Sequence, residues 1–255
     1  MSRAARIAGP AGVLLALLLL WWAVTGLGWV DALVLPSPVA VFGVFWNQPG
    51  LIASNAGITA TEAIIGLLIG NSLGLLLAVI FVTSATTRRA ILPLAMAAQA
   101  VPIVAVTPAL IIGFGNGMEP KILVAIFLVF FPMLVNAMRG LRSAEADMGE
   151  LMHSLDASGW QQLWMVRLPA ALPFIFTALK LSACSSFLAA IVAEWVAANR
   201  GLGYLIVFAG AEYKSDEVWA AVLVATLSSM VLVGLVVLLE RRVMPWAHDP
   251  TEGLS

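Results

Sequence analysis

The sequence predicts an all-α integral membrane protein with six transmembrane helices. Of its 255 residues, 62% are hydrophobic and only 11% are charged, whereas soluble domains carry about 25% charged residues. Too few charges are therefore present to cover a surface in water. The hydrophobic residues also fall into long runs, and a helix of roughly 20 apolar residues is enough to cross a hydrocarbon core about 30 Å thick.

Six such runs follow one another along the chain. The first begins after Arg3 and Arg6, and we do not expect a signal peptide, because the run is too long and no small-residue cleavage site follows it. A membrane domain is expected at 11–242, between short tails at 1–10 and 243–255. The predicted spans are Ala11–Val30, Thr61–Val82, Ala90–Phe114, Ile122–Ala137, a helix within Leu172–Val196, and Val218–Leu239.

The positions of Arg and Lys predict the orientation of these spans. If the N-terminus is cytoplasmic, nine basic residues lie inside and three, Lys121, Arg200 and Lys214, lie outside. Cytoplasmic loops carry an excess of basic residues. Both termini are therefore expected in the cytoplasm, together with the long loop between spans four and five.

Small residues and prolines distinguish the second and third spans. Gly66, Gly70 and Gly74 fall four residues apart and form a stripe that allows close helix contact, either within one chain or between two copies. Three prolines make the third span irregular, and irregular helices in transporters often line a cavity. The positions expected near such a cavity are Asn71, Gln99, Pro102 and Thr107.

Lys180 and Glu194 are the only ionisable residues that we expect within the spans. Charges inside a membrane are costly, so they are usually functional. Lys180 lies near the cytoplasmic end, where a long side chain can reach the lipid headgroups. Glu194 lies near the outer end, where it can reach water or Arg200. The segment Gly201–Gly210 is too short to span and is expected to be interfacial or re-entrant.

The loop between spans four and five contains an unusually polar segment, Met152–Pro173. Its residue spacing predicts a short amphipathic helix over Met152–Met165. Pro169 is expected to end that helix, because a proline ring cannot continue the hydrogen-bond ladder. Such a helix either docks in a groove of another protein or lies on the lipid surface, and periodicity alone favours neither.

Composition argues against several classes of function. A net charge of −1 gives no reason to expect nucleic-acid binding. The single cysteine and the two histidines provide neither a disulfide nor a multi-histidine metal centre. We expect no enzyme, because Lys180 and Glu194 lie too far apart along one helix to form a catalytic pair. Two kinds of transport protein remain. One is a subunit that draws its energy from a partner protein, and the alternative is a secondary carrier or a channel that works alone.

The polar loop resembles the cytoplasmic loop that marks the permease subunits of bacterial ABC importers. That motif is Glu-Ala-Ala, three residues, Gly, nine residues, an aliphatic residue, one residue and Leu-Pro. Here Glu150 occupies the first position, and Val166, Leu168 and Pro169 fit the end at the right spacing.

The first half of the motif departs from the family pattern. Leu151 and Met152 replace the two alanines, and Asp156 replaces the glycine, although Ala157 and Ser158 follow it as is usual in the family. Four further blocks resemble the nitrate, sulfonate and taurine branch of these permeases. They are Leu35–Phe42, Val101–Ile122, Phe130–Arg142 and Ala193–Ile206.

The resemblance implies the fold of a type I ABC importer permease in the bacterial inner membrane. It implies a second permease copy, two ABC ATPase subunits that use ATP and Mg²⁺, and an extracytoplasmic binding protein, with no cofactor on this chain. The loop at about 139–170 would couple to the ATPase, and Glu194, Gly201 and Gly203 would belong to an outer gate. The implied cargo is a nitrate-, sulfonate- or taurine-type anion, or a pyrimidine or riboflavin-type precursor.

Overall fold

The structure, a computed structural model, describes residues 3–144, 148, 152 and 154–248. Every regular element in this part of the chain is helical. The α-helices are α1 (Arg3–Gly26), α2 (Pro38–Asn47), α3 (Pro49–Thr83), α4 (Ala85–Ala98), α5 (Ile103–Phe114), α6 (Glu119–Arg142), α7 (Gly159–Gln162), α8 (Leu168–Ala197), α9 (Leu202–Ala211) and α10 (Ser215–Val243). A π-helical turn at Leu163–Arg167 joins α7 to α8, and a 3₁₀ turn at Pro245–His248 follows α10.

Four helices of the described chain are long and apolar enough to cross a membrane. They are Pro49–Thr83, Glu119–Arg142, Gly159–Val196 and Ser215–Val243. They confirm the second, fourth, fifth and sixth predicted spans and lengthen each of them. The first predicted span, Ala11–Val30, overlaps α1 only as far as Gly26, and the apolar helix Gly12–Gly26 is shorter than the roughly 20 residues that cross a membrane.

The third predicted span is two helices rather than one. Helices α4 and α5 are bent by 94° about the break between Ala98 and Ile103. Pro102 occupies the N-cap position of α5 with an extended backbone, as expected for a residue that cannot donate a backbone hydrogen bond within a helix. The predicted irregularity is confirmed, and a continuous helix over Ala90–Phe114 is wrong.

Helices α3, α6 and α8 form the centre of the bundle. The glycine stripe of α3 lies against α6, because a Cβ atom at Gly70 would stand 2.7 Å from the Ile126 carbonyl oxygen and one at Gly74 would stand 2.7 Å from that of Phe130. The stripe therefore packs within the chain, which decides between the two interpretations of the sequence. Successive glycines of α3 contact successively later residues of α6, so the two helices run parallel.

Helices α8 and α10 complete an alternating arrangement. Gly140 of α6 lies against Ala171 of α8, and Phe187 of α8 packs near Leu232 of α10. Each of these helices is antiparallel to its predecessor. The C-terminal ends of α3, α6 and α10 and the N-terminal end of α8 therefore meet at one end of the bundle.

We call that end the arginine end, and the other the opposite end. Seven arginines lie at or beside the helix termini of the arginine end: Arg88, Arg89, Arg139, Arg142, Arg167, Arg241 and Arg242. Helix α1 finishes at the opposite end, where the Trp21 indole donates to the Pro36 carbonyl at 3.0 Å and lies beside Trp219.

Candidate functional site

Glu194 is the centre of a buried hydrogen-bond network at the opposite end of the bundle. Its side chain is 1% exposed. One carboxylate oxygen accepts from the Thr59 hydroxyl at 2.7 Å and the other from the Gly203 backbone N–H at 2.6 Å. The prediction that Glu194 reaches water or Arg200 is therefore wrong. Its partners come from α3 and from the start of α9.

This network holds the N-terminus of α9. The first N–H groups of a helix have no partner within the helix. Here Leu202 N–H donates to Thr59 at 2.8 Å, Gly203 N–H donates to Glu194, and the neighbouring Gly201 N–H donates to the Asn55 side chain at 2.7 Å. The segment that was expected to be interfacial or re-entrant contains the short helix Leu202–Ala211, and side chains of α3 and α8 fasten its start.

Gly201 and Gly203 occupy positions that admit no side chain. Gly201 has φ = +112°, a backbone conformation that L residues rarely adopt. A Cβ atom there would overlap the Glu194 carboxyl group, and one at Gly203 would stand 2.8 Å from the Glu194 Cβ. The structure therefore brings Glu194, Gly201 and Gly203 together, as the sequence resemblance implied.

Glu62 is a buried acidic residue that the sequence interpretation missed. It lies on α3, is 2% exposed, and its carboxyl group interacts with that of Glu194. Lys121 of α6 is buried nearby and acts electrostatically on both carboxyl groups. The expectation of only two ionisable residues within the spans is thus wrong. The signal was present, since Glu62 precedes Gly66 by four residues and continues the buried face of α3.

Lys180 forms an ion pair across the arginine end of the bundle. Its ammonium group donates to both carboxylate oxygens of Glu240, each at 3.0 Å. The predicted extension of Lys180 toward the lipid headgroups is therefore wrong. The pair joins α8 to the last turn of α10, which sequence could not show because 60 residues separate the partners.

The four positions expected near a cavity lie in separate environments. Asn71 is buried on α3, where its amide donates to the Leu67 carbonyl while its Oδ1 atom has no partner among the described residues. Gln99 and Pro102 are exposed at the break between α4 and α5. Thr107 is buried in α5 and donates to the Ile103 carbonyl. Asn71 does line a cavity of about 460 Å³, but the structure does not bring the four residues into one site.

The polar loop contains a sharp turn rather than one continuous helix. Asp156 has φ = +54°, a left-handed conformation that glycine adopts freely and that Asp and Asn tolerate better than other residues. Asp156, which stands where the family motif has glycine, is thus one of the residue types that this turn admits. Ala157, which follows, donates its N–H to the Met152 carbonyl at 3.0 Å, so a single helix over Met152–Met165 is wrong.

Ser158 begins the next helix with a reciprocal capping arrangement. Its hydroxyl accepts from the Gln161 N–H, and the Gln161 side chain accepts from the Ser158 N–H at 2.8 Å. A Ser followed three residues later by Gln is the sequence signature of this capping box, so this start was readable from the sequence. Glu150, the first residue of the motif, lies outside the described residues.

Pro169 lies inside a long helix rather than ending one. The Leu168 N–H donates to the Leu163 carbonyl, five residues back, in the π-helical turn that contains Val166. This turn changes the hydrogen-bond spacing just before Pro169, whose ring would clash with a normal helical ladder. Gly159–Val196 is consequently one helical rod of 38 residues.

The outer surface of the loop and of the π turn is apolar and open. Four large side chains there are more than half exposed: Leu155, Trp160, Trp164 and Met165. The two indole rings pack edge to face at 5.6 Å. An exposed apolar patch of this kind marks a surface that contacts a protein or lipid.

Comparison with known proteins decides the family. Residues 70–245 match the family described as the binding-protein-dependent transport system inner membrane component. The chain belongs to this family of transport permeases. The matched region runs from the glycine stripe of α3 to the end of α10, and so includes the polar loop, Glu194 and both glycines of the α9 cap.

Individual members of the permease family are similar over nearly the whole chain. A probable ABC transporter permease protein of Haemophilus influenzae is 32% identical over 89% of this chain and 93% of its own length. The riboflavin transport system permease protein of Chloroflexus aurantiacus is 33% identical over 91% and 88%. The taurine transport system permease protein of Escherichia coli is 30% identical over 92% and 88%.

A solved structure confirms the fold of this permease. A chain of the MetNI methionine ABC transporter, in an inward-facing conformation, superposes with a TM-score of 0.61 at 18% identity. The match covers 81% of this chain and 99% of the other. The chain is therefore an all-α, multi-pass membrane protein with the permease fold of an ABC importer.

Proposed function

We propose that the chain is the permease subunit of an ATP-driven importer and forms the path of a small solute across the bacterial inner membrane. The observation that carries this proposal is the helical rod Gly159–Val196. It links the exposed apolar loop at the arginine end to Glu194 at the opposite end. A displacement of the loop would therefore be transmitted along this helix to the hydrogen-bond network that holds α9.

The rod makes mechanical coupling physically reasonable. Within a helix, consecutive turns are joined by backbone hydrogen bonds, so displacement at one end moves the other. Two global states that are biased by nucleotide at a remote site constitute allosteric coupling. In this account, an ATPase subunit binds the exposed patch around Leu155 and Trp160, and the Glu194 network belongs to the gate that opens in response.

The proposed assembly contains two permease copies, two ATPase subunits and an extracytoplasmic binding protein. ATP and Mg²⁺ would be bound by the ATPase, and this chain would perform no chemistry. The arginine end would face the cytoplasm, because seven basic residues lie there and cytoplasmic segments are rich in Arg and Lys. This orientation places Arg200 and Lys214 outside and both termini inside.

We expect the transported solute to belong to the classes of compound for which the similar permeases are named. Permeases named for aliphatic sulfonates, riboflavin and taurine are 30–33% identical to this chain. Because these identities are similar, we propose only a small organic or inorganic solute of this range, selected by the binding protein.

A secondary carrier remains the second candidate, because of one structural observation. Ion-coupled carriers use ionisable residues buried in the membrane, and Glu62, Glu194 and Lys121 form such a cluster. The two candidates differ in their need for an ATPase subunit bound at the loop.

The loop is tested by substituting an exposed apolar residue with arginine. Leu155 is 67% exposed, so in Leu155→Arg the new charge stays in water and the fold is retained. We expect the amount of ATPase that purifies with the chain, and its ATP hydrolysis, to fall roughly tenfold or more, because a charge placed in an apolar docking groove costs more than 1.4 kcal/mol. Ala157→Arg is expected to have the same effect.

The matched control is Leu33→Arg at the opposite end, where Leu33 is 59% exposed. It should retain the ATPase at the level of the unsubstituted chain. Full ATPase binding and hydrolysis in Leu155→Arg and Ala157→Arg would show that the loop does not couple to an ATPase.

A further inference from the structure

A polar cavity opens at the opposite end of the bundle, between the turn preceding α6 and the loop that joins α8 to α9. Its volume is about 380 Å³. Most of the large cavities in the described chain are lined by aliphatic side chains, whereas five of the eight residues around this one are charged or carry a side-chain amide. They are Glu62, Asn116, Lys121, Asn199 and Arg200.

The inner end of this cavity contains an incompletely compensated carboxyl group. Two acidic residues and one basic residue are buried together there, each at most 3% exposed: Glu62, Glu194 and Lys121. The Lys121 ammonium does not neutralise Glu62 by direct contact, because it donates to the Asn116 carbonyl, the Asn116 side chain and the Gly117 carbonyl. These three bonds use all the donors of a lysine.

The Glu62 Oε2 atom has no hydrogen-bond partner among the described residues, although it is buried. A buried carboxylate oxygen without a partner is costly, and a positively charged donor removes that cost. The donor is either a proton held between Glu62 and Glu194 or a cationic group that enters the cavity. Because Glu62 lines the cavity, an entering group can reach it.

The rim of the cavity carries a positive charge, unlike its acidic inner end. Arg200, Asn116 and Asn199 are exposed there. Within the described part of the chain, the Arg200 guanidinium makes no hydrogen bond or ion pair. A guanidinium presents a fork of N–H donors that suits a carboxylate, sulfonate or phosphate group.

We propose that this cavity is a binding site for a small zwitterionic solute, with its protonated amine on Glu62 and its anionic group on Arg200. This proposal rests on the proposed transport function and narrows its cargo to solutes that carry both charges. The site would receive the solute on the outer side, beside the Glu194 network that holds α9. An oxyanion without an amine would bind Arg200 at the rim but would leave Glu62 without a cationic partner.

The site is tested by equilibrium binding of tritiated taurine to the chain purified in detergent with its associated ATPase, without ATP. Taurine carries an ammonium and a sulfonate, and isethionate is the same sulfonate with a hydroxyl in place of the ammonium. We expect saturable taurine binding, with isethionate competing roughly ten- to hundredfold more weakly than taurine, because a hydrogen bond between charged groups is lost.

Three variants locate the binding. Glu62→Gln should weaken taurine binding roughly ten- to hundredfold and leave the affinity for isethionate unchanged, so that the two compounds compete about equally in this variant. Arg200→Gln should weaken both compounds, and it is at the exposed rim, so folding is retained. Glu212→Gln, at an exposed carboxylate that pairs with Lys214, should bind taurine normally. Thermal stability of each variant separates a lost site from a lost fold.

Absence of saturable taurine binding, equal competition by isethionate, or unchanged taurine affinity in Arg200→Gln would each overturn the proposal. Unchanged affinity in a folded Glu62→Gln would also overturn it and assign the missing positive charge to a proton. The assay requires no ATP. A preparation without an ATPase would therefore contradict the transport proposal while the cavity could still be tested on the chain itself.

Discussion

Gly201→Ala is expected to release α9 and to destabilise the opposite end of the bundle. Alanine at φ = +112° is strained, and its Cβ would overlap the Glu194 carboxyl group. Backbone strain of this kind costs about 1–3 kcal/mol and overpacking about the same again. We expect the midpoint of thermal unfolding in detergent to fall by roughly 5–15 °C, measured from the loss of the monodisperse peak in size-exclusion chromatography.

Gly210→Ala is the matched control, because Gly210 lies at the other end of the same helix and a Cβ there would make only an ordinary contact, 3.9 Å from Val218 Cγ2. Its unfolding midpoint should stay within a few degrees of the unsubstituted chain. An equally stable Gly201→Ala would mean that the Glu194 cap does not hold α9. Transport should fail in Gly201→Ala if α9 belongs to the gate.

Gly70→Leu is expected to separate α3 from α6 and to prevent assembly of a stable bundle. A Cβ at this position would overlap Val129 Cγ2 and stand 2.7 Å from the Ile126 carbonyl oxygen. The remaining leucine atoms have no space between the two backbones. We expect a loss of about 3 kcal/mol or more of stability, seen as aggregation or low yield of folded protein after extraction from the membrane.

Gly57→Leu provides the comparison on the same helix. Beyond its own helical turn, none of the described residues has an atom within 4 Å of a Cβ at Gly57, and leucine is a better helix former than glycine by several tenths of a kcal/mol. This variant should be folded and at least as stable as the unsubstituted chain. If both variants were equally stable, the close contact of α3 with α6 would not be structural.

Hydropathy predicted the main helices because each contains a long apolar run, and such a run forms a helix in a membrane whichever residues it packs against. It did not predict the 94° bend between α4 and α5, since a proline indicates a break but not its angle. The prediction that Pro169 ends a helix, which was based on the proline ring rather than on hydropathy, was also wrong. The π-helical turn that accommodates this proline depends on the hydrogen-bond spacing of the preceding residues, which composition does not reveal.

The candidate site was only partly predictable, because its contacts join distant parts of the chain. Glu194, Gly201 and Gly203 could be grouped by resemblance to the family, and the structure brings them together. Thr59, which lies 135 residues before Glu194, carries no signal of that contact. Glu62 did carry one, since its four-residue spacing from Gly66 puts it on the face of α3 that the glycine stripe buries.

The two ends of the bundle differ in how their charges are arranged. At the arginine end, Lys180 and Glu240 form a direct ion pair. At the opposite end, Glu62, Glu194 and Lys121 are buried together, but Lys121 donates to backbone and amide oxygens. The first arrangement joins two helices. The second leaves one carboxylate oxygen of Glu62 without a partner among the described residues, beside a cavity where a solute or a proton can bind.

We propose that this permease draws its energy from an ATPase bound at the polar loop. The most direct test is to purify the tagged chain gently from its native membrane and to identify the associated proteins by quantitative mass spectrometry. We predict an ATP-binding subunit in a ratio of about one to one with the permease chain. A chain that is folded and pure but carries no ATP-binding subunit would show that the permease does not depend on an ATPase and would favour a secondary carrier.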